Sequence, residues 1–546
     1  MLRPTFAGYQ VAKRGLSVSQ KLLDVTGQNI TNINTDGYTR QRVDLYAIAH
    51  SSGADKFAMY GGNIGRGVGD LGPSQIRDPF LDIRYRNEAA KVGREEVLGK
   101  AVADLEEIFG EISKSGLDAQ FSNMISQLQA LTATPSDPVI EGVVKTAATM
   151  ITQLFNHYSK QLETVREQQT TYLEDSVNVT NRLMAQIAEL NKQIRSQNIH
   201  GDKALELNDR RNSLIDELST YMNIEVVKGV EKIGSDREIE ILRIVSKDLQ
   251  DSSGNQLVLV DGKDYSELEL EKPSATSKDA IIRLKKSLDS TLDGSDITAK
   301  LERGQISGYL AFLNNKGEFL NDTNFTTKDR GIQYYEGMLD KLANIFATMF
   351  NNVNKRKYDE DGNELIPPAD ERPLFEATGG GVITAGNIKI SDAWRDNTQS
   401  YITNTNKPPV FGDDGKPVDT SAANDNILNL ISQFNKKVEF EHDTGILSGT
   451  ETLKNFLFHG TLQEMFSYTS STVDLQIANT QSLYDGYGQT LLAIDTSRQS
   501  ISGVSLDEEG INLLSYNKSY AAAARLMTTL DEAIDILINR TGRVGL

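Results

Sequence analysis

The sequence predicts a mainly α-helical protein with a β-rich insertion, its two ends forming an α-helical coiled coil and its long interior helices a bundle. Three features lead there: apolar residues recurring every seven positions at both ends, no proline from 139 to 272 or from 418 onward, and a cluster of β-branched segments starting at Asn223.

At the C-terminal end one row contains Leu506, Leu513, Tyr520, Met527 and Ile534, and a second contains Tyr516, Ala523, Leu530 and Leu537. Seven residues fall just short of two helical turns, so a helix keeping this seam asks for a second helix to cover it. The N-terminal end supplies Leu2, Tyr9, Leu16, Leu23 and Ile30 at the same step, with Ala12, Ser19, Thr26 and Ile33 beside them. Val11, Val18, Leu22 and Val25 make a further face that this pairing would leave uncovered. At roughly 1.5 to 3 kcal/mol per buried Leu-sized side chain, such a stripe could hold a neighbouring subunit. The alternative is that both faces lie in the core of one monomer.

Inside the chain, Leu183, Ile187, Leu190 and Ile194 form a helical stripe within a segment otherwise rich in Gln, Glu, Lys and Arg, as expected of a long, partly exposed helix. From Asn223 the segments IEVV, EIEILRIV and QLVLVDG read as strands, and Tyr334 to Asn354 reads as a helix again. Six of the 12 prolines fall between 367 and 417, with two glycine clusters, and mark an irregular segment. The expected division is a coiled-coil domain from 1–50 and 501–546; a helical domain from 51–222, 311–356 and 451–500; a β-rich insertion at 223–310; and an irregular segment at 357–450 of uncertain domain.

A net charge of -19 argues against nucleic acid, whose phosphates would be repelled, and favours a well-solvated surface. No apolar run approaches the 18 residues of a membrane span. With no cysteine, disulfides and thiolate metal sites are excluded, and the five histidines show no paired ligand spacing. Asp359, Asp361 and Asn363 suggest a calcium loop, but Gly362 stands at its fourth position and Asp370 rather than Glu at its twelfth, so a turn is expected. The glycine-rich run from Gly61 to Gly69 lacks the Lys-Ser/Thr of a phosphate loop and reads as a connection. No nucleophile elbow or acid–base pair stands out, so no enzyme, cofactor or metal is expected. The first 23 residues hold Arg3, Lys13, Arg14 and Lys21 without an acid, but no apolar block of a cleaved signal peptide; a mitochondrial presequence is the runner-up.

Residues 24 to 44 read DVTGQNITNINTDGYTRQRVD, a helix end followed by turn-forming Asn and Asp36-Gly37. This segment resembles the N-terminal signature of the flagellar axial proteins, the rod, hook and hook-associated families, matching at Asn29, Ile30, Asn32, Thr35, Gly37 and Tyr38. It departs at Thr31, where Ala is usual, and at Asp36, where Pro is usual. Arg40-Gln41 points within the group to the hook-associated branch, since rod and hook subunits more often carry Lys after the Tyr. Two further blocks follow in family order, Ile76 to Asp82 with Arg84-Tyr85-Arg86, and Ser502 to Glu509 with Tyr516, Tyr520 and Ala521 to Ala524; lesser similarity lies at Leu207 to Arg211 and Gly304 to Leu310. For Asp507, Glu508 and Glu509 helix capping from Ser505 is one sufficient reading. Pairing with Arg40 and Arg42 across antiparallel terminal helices is the other.

The resemblance implies an inner domain of terminal helices, a middle helical domain and an outer β insertion. It implies a structural subunit of the bacterial flagellum: a ring-forming adaptor between hook and filament, required for filament assembly and motility. Its partners would be copies of itself, the hook protein, a second junction protein next to the filament and an export chaperone, with no nucleic acid and no membrane span. Export would run through the growing flagellum by the type III apparatus, without a cleaved signal peptide. Leu16, Leu23, Ile30, Leu513, Tyr520, Met527, Leu530 and Ile534 are the expected subunit-packing residues. The rivals are another axial subunit, a cytosolic coiled-coil scaffold, or a hydrolase in the insertion.

Overall fold

A computed structural model describes residues 5–48, 65–233, 237–274, 277–319, 330–358, 364, 371–411, 413, 418, 420–446 and 452–539. Leu2, His50, the first part of the glycine-rich run and the calcium-like loop at 359–363 and 370 lie outside the described residues, as do the side chains of His442 and Leu537.

Helix α1 (Thr5–Thr31) leads into an antiparallel hairpin of β1 (Gln41–Ala47) and β2 (Val68–Gln75), paired from Gln41 opposite Gln75 to Ala47 opposite Val68. Helices α2 (Pro79–Ser115), α3 (Leu117–Ala133), α4 (Pro138–His200) and α5 (Leu205–Tyr221) follow. The 63 residues of α4 span about 95 Å at 1.5 Å per residue. Its ends are well specified: the Asp137 carboxylate accepts from the Val139 amide, Pro138 occupies the first turn, and Gly201 closes the helix at φ 92°.

Strands β3 (Ile224–Ile233), β4 (Arg237–Gln250), β5 (Gln256–Asp261) and β6 (Asp264–Tyr265) form a four-stranded antiparallel sheet, and β7 (Glu267–Glu271) pairs with β8 (Ile281–Lys286). Helices α6 (Gln305–Asn314) and α7 (Ile332–Asn354) return to the bundle. Next come the short pair β9 (Phe375–Ala377) and β10 (Ile388–Ile390), α8 (Asp392–Arg395), α9 (Asp425–Asn435), and the hairpin of β11 (Val438–Ile446) and β12 (Thr452–Gly460). Helix α10 (Leu462–Ser502) opens on a capping box between Thr461 and Glu464, and α11 (Leu506–Asn539) ends the described chain.

Helices α2 and α10 run antiparallel. Phe109 packs on Phe466 at 6.4 Å, Gly99 faces Thr480, Lys91 lies over the Tyr487 ring, and Arg498 lies 4.2 Å above Tyr85.

The architecture is mainly helical with several small sheets, and two expected boundaries shift. Residues 305–310, expected in the β insertion, belong to helix α6, whose Gly308 packs against the backbone of Arg94 so closely that a side chain would collide with it. The sheet is no separate unit either, because Ile244, Leu257 and Leu259 share one continuous core with Leu183 and Ile187 of α4. The supposedly irregular 357–450 segment contributes Phe375, Trp394, Ile427 and Phe434 to that same core. Phe346 of α7 gathers them: its ring centroid lies 4.8 Å from Phe350 and from Phe375, and 5.6 Å from Phe121. Proline and glycine interrupt the periodicity there without preventing burial, because isolated apolar side chains fill gaps between helices that are already laid down. Buried Glu141 fastens the segment, accepting from Trp394 Nε1 at 2.9 Å, Ser400 Oγ at 2.8 Å and the amides of Tyr401 and Ile402.

Candidate functional site

The terminal helices pair antiparallel: Gly8 faces Leu530, Gly15 faces Ala523, and Arg40 reaches Glu508 and Glu509. The centre of the α1 seam is made of small residues. Ala12, Ser19 and Thr26 are buried, and a Cβ on Gly8 would come within 3.3 Å of Leu530 Cδ2. Leu16, Leu23 and Ile30 are half-buried beside that line. On α11, Tyr516, Ala523, Met527, Leu530 and Ile534 are half-buried, whereas Leu513 and Tyr520 remain 38% and 36% exposed. Two backbones approaching this closely leave room only for short side chains, which displaces the larger ones to the flanks.

The further face of α1 has a cover within the chain. The β1–β2 hairpin lies on it, with Gly67 (φ 93°) against Val11, Lys21 paired to Asp70 at 2.6 Å, and Arg14 donating to the Arg66 carbonyl. Residues 65–75, expected in the helical domain, therefore belong with the terminal helices. The sequence VGDLGPSQ carries no alternating apolar pattern that would have announced a strand.

What stays uncovered is the outward face of α11: Ile511 and Leu514 are 68% and 65% exposed, and Ile536 lies on the same side. Leu506 and Ile538 are also exposed. Their number on one helix exceeds the scattered exposure ordinary for a surface.

The motif residues build the joint between this helical pair and the bundle. Asn29, buried at the end of α1, donates to the Gln41 carbonyl at 2.9 Å and accepts from the Gln41 amide and the Tyr38 hydroxyl. Asn32 accepts from Thr35 through both its carbonyl and its side chain, and the Tyr38 amide donates to Thr35, so successive turns reverse the chain. Gly37 adopts φ 74°, and any Cβ there would strike Ser213 Oγ of α5. Burial, then the charges of Asp209, Glu206 and Glu509, push the Tyr38 hydroxyl up to about 12.

Arg40 joins three segments. Its amide donates to the Ser502 carbonyl and its carbonyl accepts from Ile76, while its guanidinium binds Glu509 Oε1 at 2.8 Å and Glu508 Oε2 at 2.6 Å. Burial works against that guanidinium's charge, but Glu508 and Glu509 more than offset it and hold its pKa above the ordinary value. Arg42 turns away to Asp44, and Asp507 stays exposed in the first turn of α11, so the pairing belongs to Arg40 with two of the three acids. Ser505 Oγ accepts from the Glu508 amide at 3.5 Å, a long capping contact. A double-mutant cycle on Arg40→Ala and Glu509→Ala is expected to show coupling of about 1 to 3 kcal/mol in denaturant unfolding, since Glu509 is only 2% exposed.

Beneath this lies a charge network absent from the sequence reading. Asp216 of α5 accepts from Arg86 Nε at 2.7 Å and pairs with Arg498 Nη1 at 2.8 Å, and Arg77 binds Asp82 at 2.6 Å. Asp209 accepts the Thr39 amide at 3.1 Å, and burial raises its pKa. Asp216 and Arg498 carry no local pattern; only the tertiary fold brings them together. Among the described residues no cluster could hold a metal ion, and no helix is long and apolar enough to cross a membrane.

Comparison with known proteins sets this geometry in context. Residues 102–365 match the model for the flagellar hook-associated protein FlgK helical domain, and residues 497–540 match that for the flagellar basal body rod FlgEFG protein C-terminal region. Terminal helices joined into one pair and set on a helical domain, with these two matches, place the chain in the class of flagellar axial structural proteins. It is 30% identical to flagellar hook-associated protein 1 of Bacillus subtilis, over 99% of both chains. It is also 24% identical to that of Salmonella typhimurium, over 97% of this chain and 98% of the other. The chain belongs to the flagellar hook-associated protein 1 family. The flagellar hook junction protein FlgK from Burkholderia pseudomallei shares its fold, with a TM-score of 0.53 at 14% identity over 77% of this chain and all of that one.

Proposed function

We propose that this chain is a structural adaptor subunit at the junction of flagellar hook and filament, forming a ring with copies of itself and working by packing rather than catalysis. The observation that carries this is the outward apolar face of α11, left bare while its other side packs on α1. Neighbouring subunits would close over it, together with the flanking Leu513 and Tyr520. Leu16, Leu23, Ile30, Met527, Leu530 and Ile534 would tune the pair that presents it. Hook subunits on one side and a second junction protein on the other would meet the ring.

Terminal helices with unfinished apolar faces gain order when neighbours cover them, which couples folding to assembly. Before export through the type III apparatus, a chaperone would shield the α11 face, helix into groove. Electron microscopy of a strain lacking this chain is expected to show hooks without filaments, restored by the full-length chain. Normal filaments on that strain would refute the adaptor role.

A further inference from the structure

A cleft of about 620 Å³ opens between β2, α2, α4, α5 and the β3–β4 edge. Five of its lining residues are cations. Two of them are neutralised: Arg77 by Asp82, and Lys228 by Glu240 at 3.0 Å. Arg86 spends its Nε on Asp216, and its buried Nη2 meets no acceptor among the described residues. Lys203 stands exposed at the rim.

Arg211 is the anomaly. Only 7% exposed, it has neutral hydrogen-bond partners: Nη1 donates to Asn191 Oδ1 at 2.9 Å and Nη2 to Asn208 Oδ1 at 2.8 Å, while Nε has no acceptor. A desolvated guanidinium is ordinarily matched by a carboxylate, because an uncompensated buried charge is strongly unfavourable. Here no carboxylate hydrogen-bonds it among the described residues: Glu240 acts on it only through space, and Arg86 and Arg77 stand near enough to repel it. Burial, only partly offset by Glu240, lowers its pKa to about 10.

The geometry points to an oxyanion-binding site in this cleft, with Arg211 and Arg86 at its floor and Lys203 at its mouth, taking a carboxylate or phosphate-like group. Guanidinium N–H groups suit such oxygens because they present donors in a fixed planar fork. The anion can come from solution or be an Asp or Glu side chain of a second copy of this chain. This site is independent of the α11 face and of the adaptor reading.

Inorganic phosphate titrated into the full chain at constant ionic strength is expected to raise its unfolding temperature saturably. The Arg211→Gln variant should keep only the shallow, non-saturating rise that phosphate gives any protein. The Lys203→Ala variant alters one exposed side chain that leaves the fold intact, and it should need several-fold more phosphate, on the order of threefold to tenfold. If phosphate acts equally on parent and variants but Arg211→Gln weakens self-association in sedimentation velocity, the oxyanion is a carboxylate of the second copy. Equal, non-saturating phosphate responses with unchanged self-association in all three chains would overturn the site.

Discussion

An Ile511→Asp, Leu514→Asp double variant is expected to fold like the parent chain and to leave hooks bare of filament. Both side chains are about two-thirds exposed on the outward face of α11. Exposed substitutions of this kind usually shift stability by less than about 0.5 kcal/mol. In an assembled ring the balance reverses. Covering the two apolar side chains would contribute about 2 to 4 kcal/mol per subunit, and burying two unpaired carboxylates instead would cost still more. Circular dichroism and urea unfolding of the purified chain should match the parent, while swimming and filament attachment are lost.

The second large effect falls within the chain. Asp216→Ala is expected to lower stability by about 3 kcal/mol in urea unfolding, because it leaves buried Arg86 without its carboxylate and next to Arg77, and takes from half-buried Arg498 the nearest of its acidic partners. The joint between the terminal pair and the bundle would loosen first, since Arg498 sits four residues before the Ser502 carbonyl that binds the Arg40 amide. Asp36→Ala, in the exposed turn between α1 and β1, should change stability by less than about 0.5 kcal/mol.

The terminal pairing could be read from residue order because a seven-residue repeat reports directly on a helix that must be covered. Arg40 and the acids at 508 and 509 followed once antiparallel pairing was assumed. The cover on Val11 and Val18 could not be read, since β2 contains two glycines and a proline and is held by its partner strand rather than by its own pattern. For the same reason Leu16 and Leu23 were expected at the centre of a seam that Gly15 and Ser19 occupy: a heptad identifies the face, while the distance between backbones decides which residue type fits. Phe434 is core because it packs on Phe121 and Phe346, and Trp394 because Glu141 accepts from its indole, partners far away in the chain that no local pattern announces. Asp216 and Arg498, 282 positions apart by their numbers, form a contact that no local pattern can signal.

The account rests on the α11 face being bare in the free chain and covered in the flagellum. Because the native chain has no cysteine, a single Ile511→Cys substitution gives one thiol whose maleimide labelling reads that face alone, with Val230→Cys on the exposed side of β3 as control. The account predicts fast labelling of both in the purified monomer, and in isolated flagella protection of Ile511→Cys with Val230→Cys still reactive. Equal labelling of Ile511→Cys in monomer and flagella would contradict it.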